Sequence, residues 1–202
     1  DGRLGDGKNI GALRGTLWVE GYSSGSQMNV SGTLGMDALT VRDVPVTGLR
    51  GPFALLGSEL YFGTTVTEVL PRVGQPAAEP LTADALSGKL KVSGHGKLDV
   101  GRFSVDAELS DAQLTTLMQD MGVDRATTEA KCNASLTFNG IPWNPQTHTG
   151  RGRVQLRDAK LYQLPFMMRI LSAASVNASQ DSAFQTADIN FQIDGDRIPL
   201  QI

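Results

Sequence analysis

Along most of the chain apolar and polar residues alternate with a period of two. Leu13, Gly15, Leu17 and Val19 share one parity, and so do Met28, Val30, Gly32 and Leu34. Leu39 and Val41 lead to Val44 and Val46 with the parity flipping across Arg42-Asp43, while Phe53, Leu55, Leu60 and Phe62 predict a hairpin about Gly57-Ser58. Further on, Leu86, Leu90, Val92, Leu98 and Val100 share a parity that flips to Phe103, Val105, Ala107 and Leu109, which predicts a two-residue turn at Gly101-Arg102. Cys132 to Phe138, Arg153 to Leu161, Ile189 to Ile193 and Ile198 to Ile202 alternate in the same way. Such runs are half-buried strands, and the Gly-containing joints between them are turns or bulges. Tight turns join only antiparallel neighbours, so the expected architecture is mainly β, an antiparallel meander curved or partly open into a groove-like or barrel-like sheet.

Three segments break the alternation. Pro71, Pro76 and Pro80 cannot supply ladder donors, and residues 71–85 are expected to be a Pro-rich linker. A short helix is expected near 111–121, with Ser110 and Gln113 as a capping box, Leu114, Leu117, Met118 and Met121 as its apolar stripe, and Gly122 as its stop. A second is expected near 165–174, opened by Pro165 and burying Phe166, Met167, Ile170, Leu171 and Ala174. The chain then divides into a linker-like start (1–10), an N-terminal meander (11–70), the linker and a C-terminal β region (86–202). Its final strand ends while still alternating, as in a piece of a longer protein. A loose repeat of apolar-Arg-Asp-small joins Val41 to Val46 and Leu156 to Leu161, with Leu109 to Leu114 a partial third copy.

Composition narrows the classes. Glycine is abundant, 23 in 202 residues, but no Gly-X-Y period appears, so the chain is no collagen. Eighteen basic against 21 acidic residues leave a net charge of −3, without the clustered basic excess that nucleic-acid binding needs. No run of about 18 apolar residues is present to span a bilayer as a helix. The single cysteine, Cys132, lies on an apolar parity with Ala134, Leu136 and Phe138 and is expected to be a buried structural thiol. His95 and His148 sit in polar, turn-like contexts, no Cys/His spacing fits zinc, and neither a G-x-S-x-G elbow nor a phosphate-binding loop occurs. The reading is therefore non-enzymatic, without cofactor or metal. The segment Asn139 to Thr149, holding Pro142, Trp143 and Pro145, is expected to be a long loop with the Trp pinned over a sheet edge.

What remains is surface. A sheet with one apolar face must cover that face, and two short helices cover only part of it. Either the sheet curls shut into a barrel-like core or an apolar trough stays open for a ligand, and the second suits lipid: at ~0.8 kcal/mol per buried CH₂, an acyl chain of about 16 carbons is worth on the order of 13 kcal/mol, close to what holds it in a membrane.

The stretch Leu86 to Leu109 (LSGKLKVSGHGKLDVGRFSVDAEL), Ser110 to Gly122 (SDAQLTTLMQDMG), Ala134 to Gly140 (ASLTFNG), Gly150 to Pro165 (GRGRVQLRDAKLYQLP) and Phe184 to Gly195 (FQTADINFQIDG) resembles the C-terminal region of the AsmA-like family of bacterial envelope proteins. The resemblance implies a β-rich body on the periplasmic side, an inner-membrane anchor upstream of this chain, and a part in shielding lipid between membranes and in outer-membrane biogenesis. Lipid or an acyl chain and the rest of the parent chain would be the partners. Mapped onto this sequence, the family's apolar interior falls on Leu90, Val92, Leu98, Val100, Phe103, Val105, Leu136, Phe138, Val154, Leu156, Ile189, Phe191 and Ile193. Two other functions fit the sequence: a structural or assembly β module serving a neighbouring domain or an outer-membrane protein, and a carbohydrate-binding or enzymatic domain using the Trp143 loop.

Overall fold

The computed structural model describes residues 14–24, 27–41, 44–69, 79–113, 115, 131–157 and 186–201. Over these the alternation becomes a single antiparallel sheet. Its strands are β1 (Arg14–Ser24), β2 (Gln27–Val41), β3 (Val44–Leu56), β4 (Glu59–Phe62), β5 (Leu81–Ala85), β6 (Gly88–Lys97), β7 (Arg102–Gln113), β8 (Lys131–Ile141), β9 (Asn144–Arg157), β10 (Thr186–Asp194) and β11 (Leu200–Gln201), with one six-residue helix, α1 (Thr64–Val69), after β4. The strands follow chain order from β1 to β11, except that β4 and β5 share one rank. The sheet is partly curved, and β1 and β11 lie at opposite ends of the order, without pairing to each other among the described residues.

The shared rank is the main departure from a plain meander. Phe53 to Leu56 of β3 pair with β4, and Val46 to Arg50 pair with β5. On the other side, Gly94 to Lys97 of β6 pair with β4 and Gly88 to Val92 pair with β5. The chain leaves the sheet at Gly63, whose N–H donates to the Pro52 carbonyl at 2.9 Å, and re-enters at Leu81. Residues 81–85 are thus a strand where the prolines predicted a linker. Leu81, Ala83 and Ala85 alternate with exposed Thr82 and Asp84, and with Val46 and Leu49 they form a buried hydrophobic cluster. Small side chains hid that alternation from a reading based on large apolar residues.

One turn falls where expected: Leu56 pairs with Glu59 across Gly57-Ser58, where Gly57 has φ +61° as a tight hairpin requires. Val41 pairs with Val44, and the two residues between them lie outside the described ones. Others differ. The β6–β7 turn is the four residues Leu98 to Gly101, because Lys97 pairs with Arg102 and no ladder bond extends beyond them. The loop expected over 139–149 is a hairpin instead: β8 runs to Ile141, and only Pro142 and Trp143 form the turn.

The helix expected from Ser110 is not formed over its first residues. Asp111 adopts φ +55° in a bulge, its N–H donating to Asn133 Oδ1 at 2.8 Å, and Ala112 and Gln113 continue β7 against Cys132 and Lys131. The bulge restores inward parity, so Ala112 is buried. Residues 116–121, the helix expected near 165–174 and the Asp-containing joints of the two full Arg-Asp repeats lie outside the described residues.

Candidate functional site

The sheet has two unlike faces. Outward parity carries polar side chains. Asp188 accepts hydrogen bonds from Arg153 Nε at 2.8 Å, from Arg153 Nη2, and from Gln155 Nε2 at 3.2 Å. These bonds, Arg153's above all, lower the carboxyl from its usual range to about 2. Nearer β4, Tyr61 donates its hydroxyl to Glu59, which also pairs with Lys97 at 3.4 Å, and the Tyr61 ring stacks on His95 at 6.1 Å. That hydrogen bond holds the Glu59 carboxyl below its ordinary value and pushes the Tyr61 phenol up. A depression of about 500 Å³ is lined by the outward-parity Ser135, Thr137, Arg151, Arg153, Asn190 and Gln192, and also by Gly152 and Phe191 of the inward parity. These polar side chains are on the opposite parity from the apolar one.

Inward parity carries the apolar residues, and their burial is graded. At the end of the sheet away from the β6–β7 and β8–β9 turns, Val46, Ala85, Ala112, Cys132, Leu156 and Ile189 are buried, as is Leu81. Toward the opposite, hairpin-turn end, Phe103, Val105, Leu136, Phe138, Phe191 and Ile193 are only half-buried. Burial also pushes the Cys132 thiol up, which suits an inert core residue.

Of the thirteen positions expected to face a groove, Leu156 and Ile189 are buried core, and Leu90, Val92, Phe103, Val105, Leu136, Phe138, Val154, Phe191 and Ile193 form a half-covered apolar surface. Leu98 and Val100 do not belong to it. They project from the β6–β7 turn, 47% and 55% exposed, because the alternation that placed them inward continues past the last ladder pair.

Glycines shape this inner surface. Gly96 pairs with Phe103, Gly94 with Phe62 and Gly152 with Phe191. A Cβ at Gly96 would come within 2.5 Å of the Phe103 ring and at Gly94 within 2.8 Å of the Phe62 ring, while at Gly152 it would overlap the Phe191 ring outright. The aromatic rings therefore lie down across the neighbouring strand, a cross-strand arrangement known to support glycine in sheets. Sequence reasoning missed these pairings; the signal was available as Gly and Phe on the same parity of adjacent runs. A floor of reclining rings is flat and apolar.

At the turn end His148 Nε2 lies 2.9 Å from the Ile141 carbonyl, and its ring meets Phe138 edge-on at 5.0 Å, bracing the Gly140 bulge. Trp143 is 72% exposed yet lies across Gly101 of the neighbouring turn, so it is fixed over the sheet's end. Among the described residues no three His, Cys, Asp or Glu side chains gather as a metal site, no buried side-chain polar atom lacks a partner, and no helix is long and apolar enough to cross a membrane. Comparison with protein-family models, with curated proteins and with solved structures gives no match to this chain.

Proposed function

We propose that the chain is a non-enzymatic lipid-handling segment of a bacterial envelope protein, in the manner of the AsmA-like family, shielding an acyl chain on the inward face of the sheet on the periplasmic side. The observation that carries this reading is the half-covered apolar surface from Leu90 and Val92 across Phe103, Val105, Leu136, Phe138 and Val154 to Phe191 and Ile193. Nine apolar positions left half-buried in a row of adjacent strands are costly to leave facing water, at about 25 cal/mol per Å², and the same area is returned when a hydrocarbon lies along it. The reclining Phe103 and Phe191 rings supply a smooth floor for such a chain. A hydrocarbon held this way needs no charged anchor, so the absence of an inward-facing ion pair among the described residues is compatible with the role.

The test is direct. The purified chain should carry extractable lipid detectable by mass spectrometry, and should take up a fluorescent fatty acid saturably. Leu136→Arg, which puts a charge in the middle of the floor, should abolish uptake. A chain that neither carries lipid nor takes up the probe would refute the proposal.

One observation favours a second reading, a β module that assembles with a neighbour. β11 covers only Asn190 and Phe191 of β10, so Thr186 to Ile189 present an edge with no strand partner among the described residues. A chain extended by neighbouring parent sequence should then be markedly more stable, with no gain in lipid uptake.

A further inference from the structure

Leu98, Val100, Trp143 and Ile198 are the large apolar side chains exposed among the described residues, at 47%, 55%, 72% and 60%. All four lie toward one end of the sheet: Leu98 and Val100 on the turn between β6 and β7, Trp143 on the turn between β8 and β9, and Ile198 just past the Asp194–Arg197 bridge that closes the turn after β10. The registers require this coincidence of place. Lys97 pairs with Arg102, Phe103 with Gly140, Ile141 with Asn144, and Thr149 with Asp194, so the three turns emerge side by side. At ~4.8 Å per strand, successive turns are about 10 Å apart, and the row spans about 20 Å.

We propose that this end of the sheet docks onto the surface of a zwitterionic lipid bilayer, with the four side chains dipping into the headgroup region. Their exposed parts sum to on the order of 400–500 Å² of apolar surface. That is well short of the ~800 Å² per partner that a stable protein interface needs, so a second copy of the chain is a poor fit. A row of separate tips offers no groove for a peptide, whereas a bilayer surface requires no complementary shape. Trp143 supplies the side chain best suited to the membrane–water boundary, and its ring is held in place across Gly101 rather than free to fold away. The charges around the tips decide the lipid class. Lys97, Arg102 and Arg197 are balanced by Asp99, Asp194 and Asp196, all exposed, and Lys97 is also paired with Glu59. Without a basic excess there is nothing to favour anionic lipid.

The inference goes beyond lipid shielding by the inner face and stands without it. The test is flotation of the whole chain with phosphatidylcholine vesicles. Binding should be unaffected by raising salt, should fall about tenfold or more in Trp143→Ala, and should drop to background in the double variant Leu98→Asp/Val100→Asp. In a Trp18→Phe background the remaining indole reports the tip, and its emission should shift to the blue and be quenched by brominated lipid. Several results would overturn the proposal: no flotation, variants that float like the parent chain, binding confined to anionic vesicles and lost in salt, or a dimer that Trp143→Ala dissolves. The turn substitutions lie outside the core, so fatty-acid uptake by the double variant should persist. Loss of uptake with flotation intact would sink the inner-face reading alone.

Discussion

The pairing of Gly152 with Phe191 gives a prediction whose sign depends on the structure. Replacing a strand glycine with alanine ordinarily stabilises a protein by ~0.4–1 kcal/mol, because the unfolded chain loses freedom. At Gly152 the added Cβ would overlap the Phe191 ring, with Cζ, Cε1 and Cε2 all too close for an unchanged rotamer. The ring must rise off β9, losing its contact with the strand. Overpacking of this kind costs about 1–3 kcal/mol. In a Phe191→Ala background the obstacle is gone, and the same Gly152→Ala change should become neutral or stabilising. A double-mutant cycle should thus give a coupling of about 2–3 kcal/mol, with Gly152→Ala changing sign between backgrounds. Urea denaturation followed by circular dichroism measures it, provided the slope with denaturant is the same in all four proteins. Additive effects, or Gly152→Ala stabilising the parent chain, would mean that the ring does not rest on the glycine. The single variant should also take up fatty acid less well, since the displaced ring occupies the proposed lipid path.

Leu156, 2% exposed at the closed end of the inner face, should cost ~2–5 kcal/mol when cut to alanine, read as a lower urea midpoint, whereas the same cut at Leu98 on the exposed turn should change the midpoint little. The Asp188 carboxyl, lowered to about 2 by Arg153, contributes stability that is present above the ordinary carboxylate range and is lost as pH falls from about 4 through about 2. Asp188→Asn should therefore flatten that part of the acid-unfolding curve and leave the profile above pH 5 unchanged in shape, which thermal melts across pH would record.

Period-two alternation carried most of the architecture, because a half-buried strand writes its two faces directly into the sequence. It succeeded where side chains were large, as at Phe53 to Phe62, and failed where they were small: Leu81, Ala83 and Ala85 form a buried strand that the nearby prolines disguised. It also overran. Leu98 and Val100 keep the parity of β6 but lie beyond its last hydrogen-bonded pair, and nothing local marks where a ladder stops. Ser110 and Gln113 matched a helix start, yet Asn133 from the next strand satisfies the Asp111 N–H and holds a bulge there. That contact is made by a residue 22 positions away, so no local pattern could announce it. The inner-face site was legible as a set of apolar positions. Its flatness was not, because it depends on which glycine falls opposite which phenylalanine. The apolar tips were invisible for the same reason: three turns become neighbours only through the register of six strands.

The rank shared by β4 and β5 has a mechanical consequence. β4 comes from the first part of the chain and bonds to β6 of the second, while β5 comes from the second part and bonds to β3 of the first. Each half lends the other a short strand, in the way a carpenter's lap joint interlocks two boards. A load drawn across the sheet from β1 toward β11 must open two short ladders, β4 against β6 and β3 against β5, to part the halves at this seam. The position that looked in the sequence like a hinge between two modules is where the two halves exchange strands.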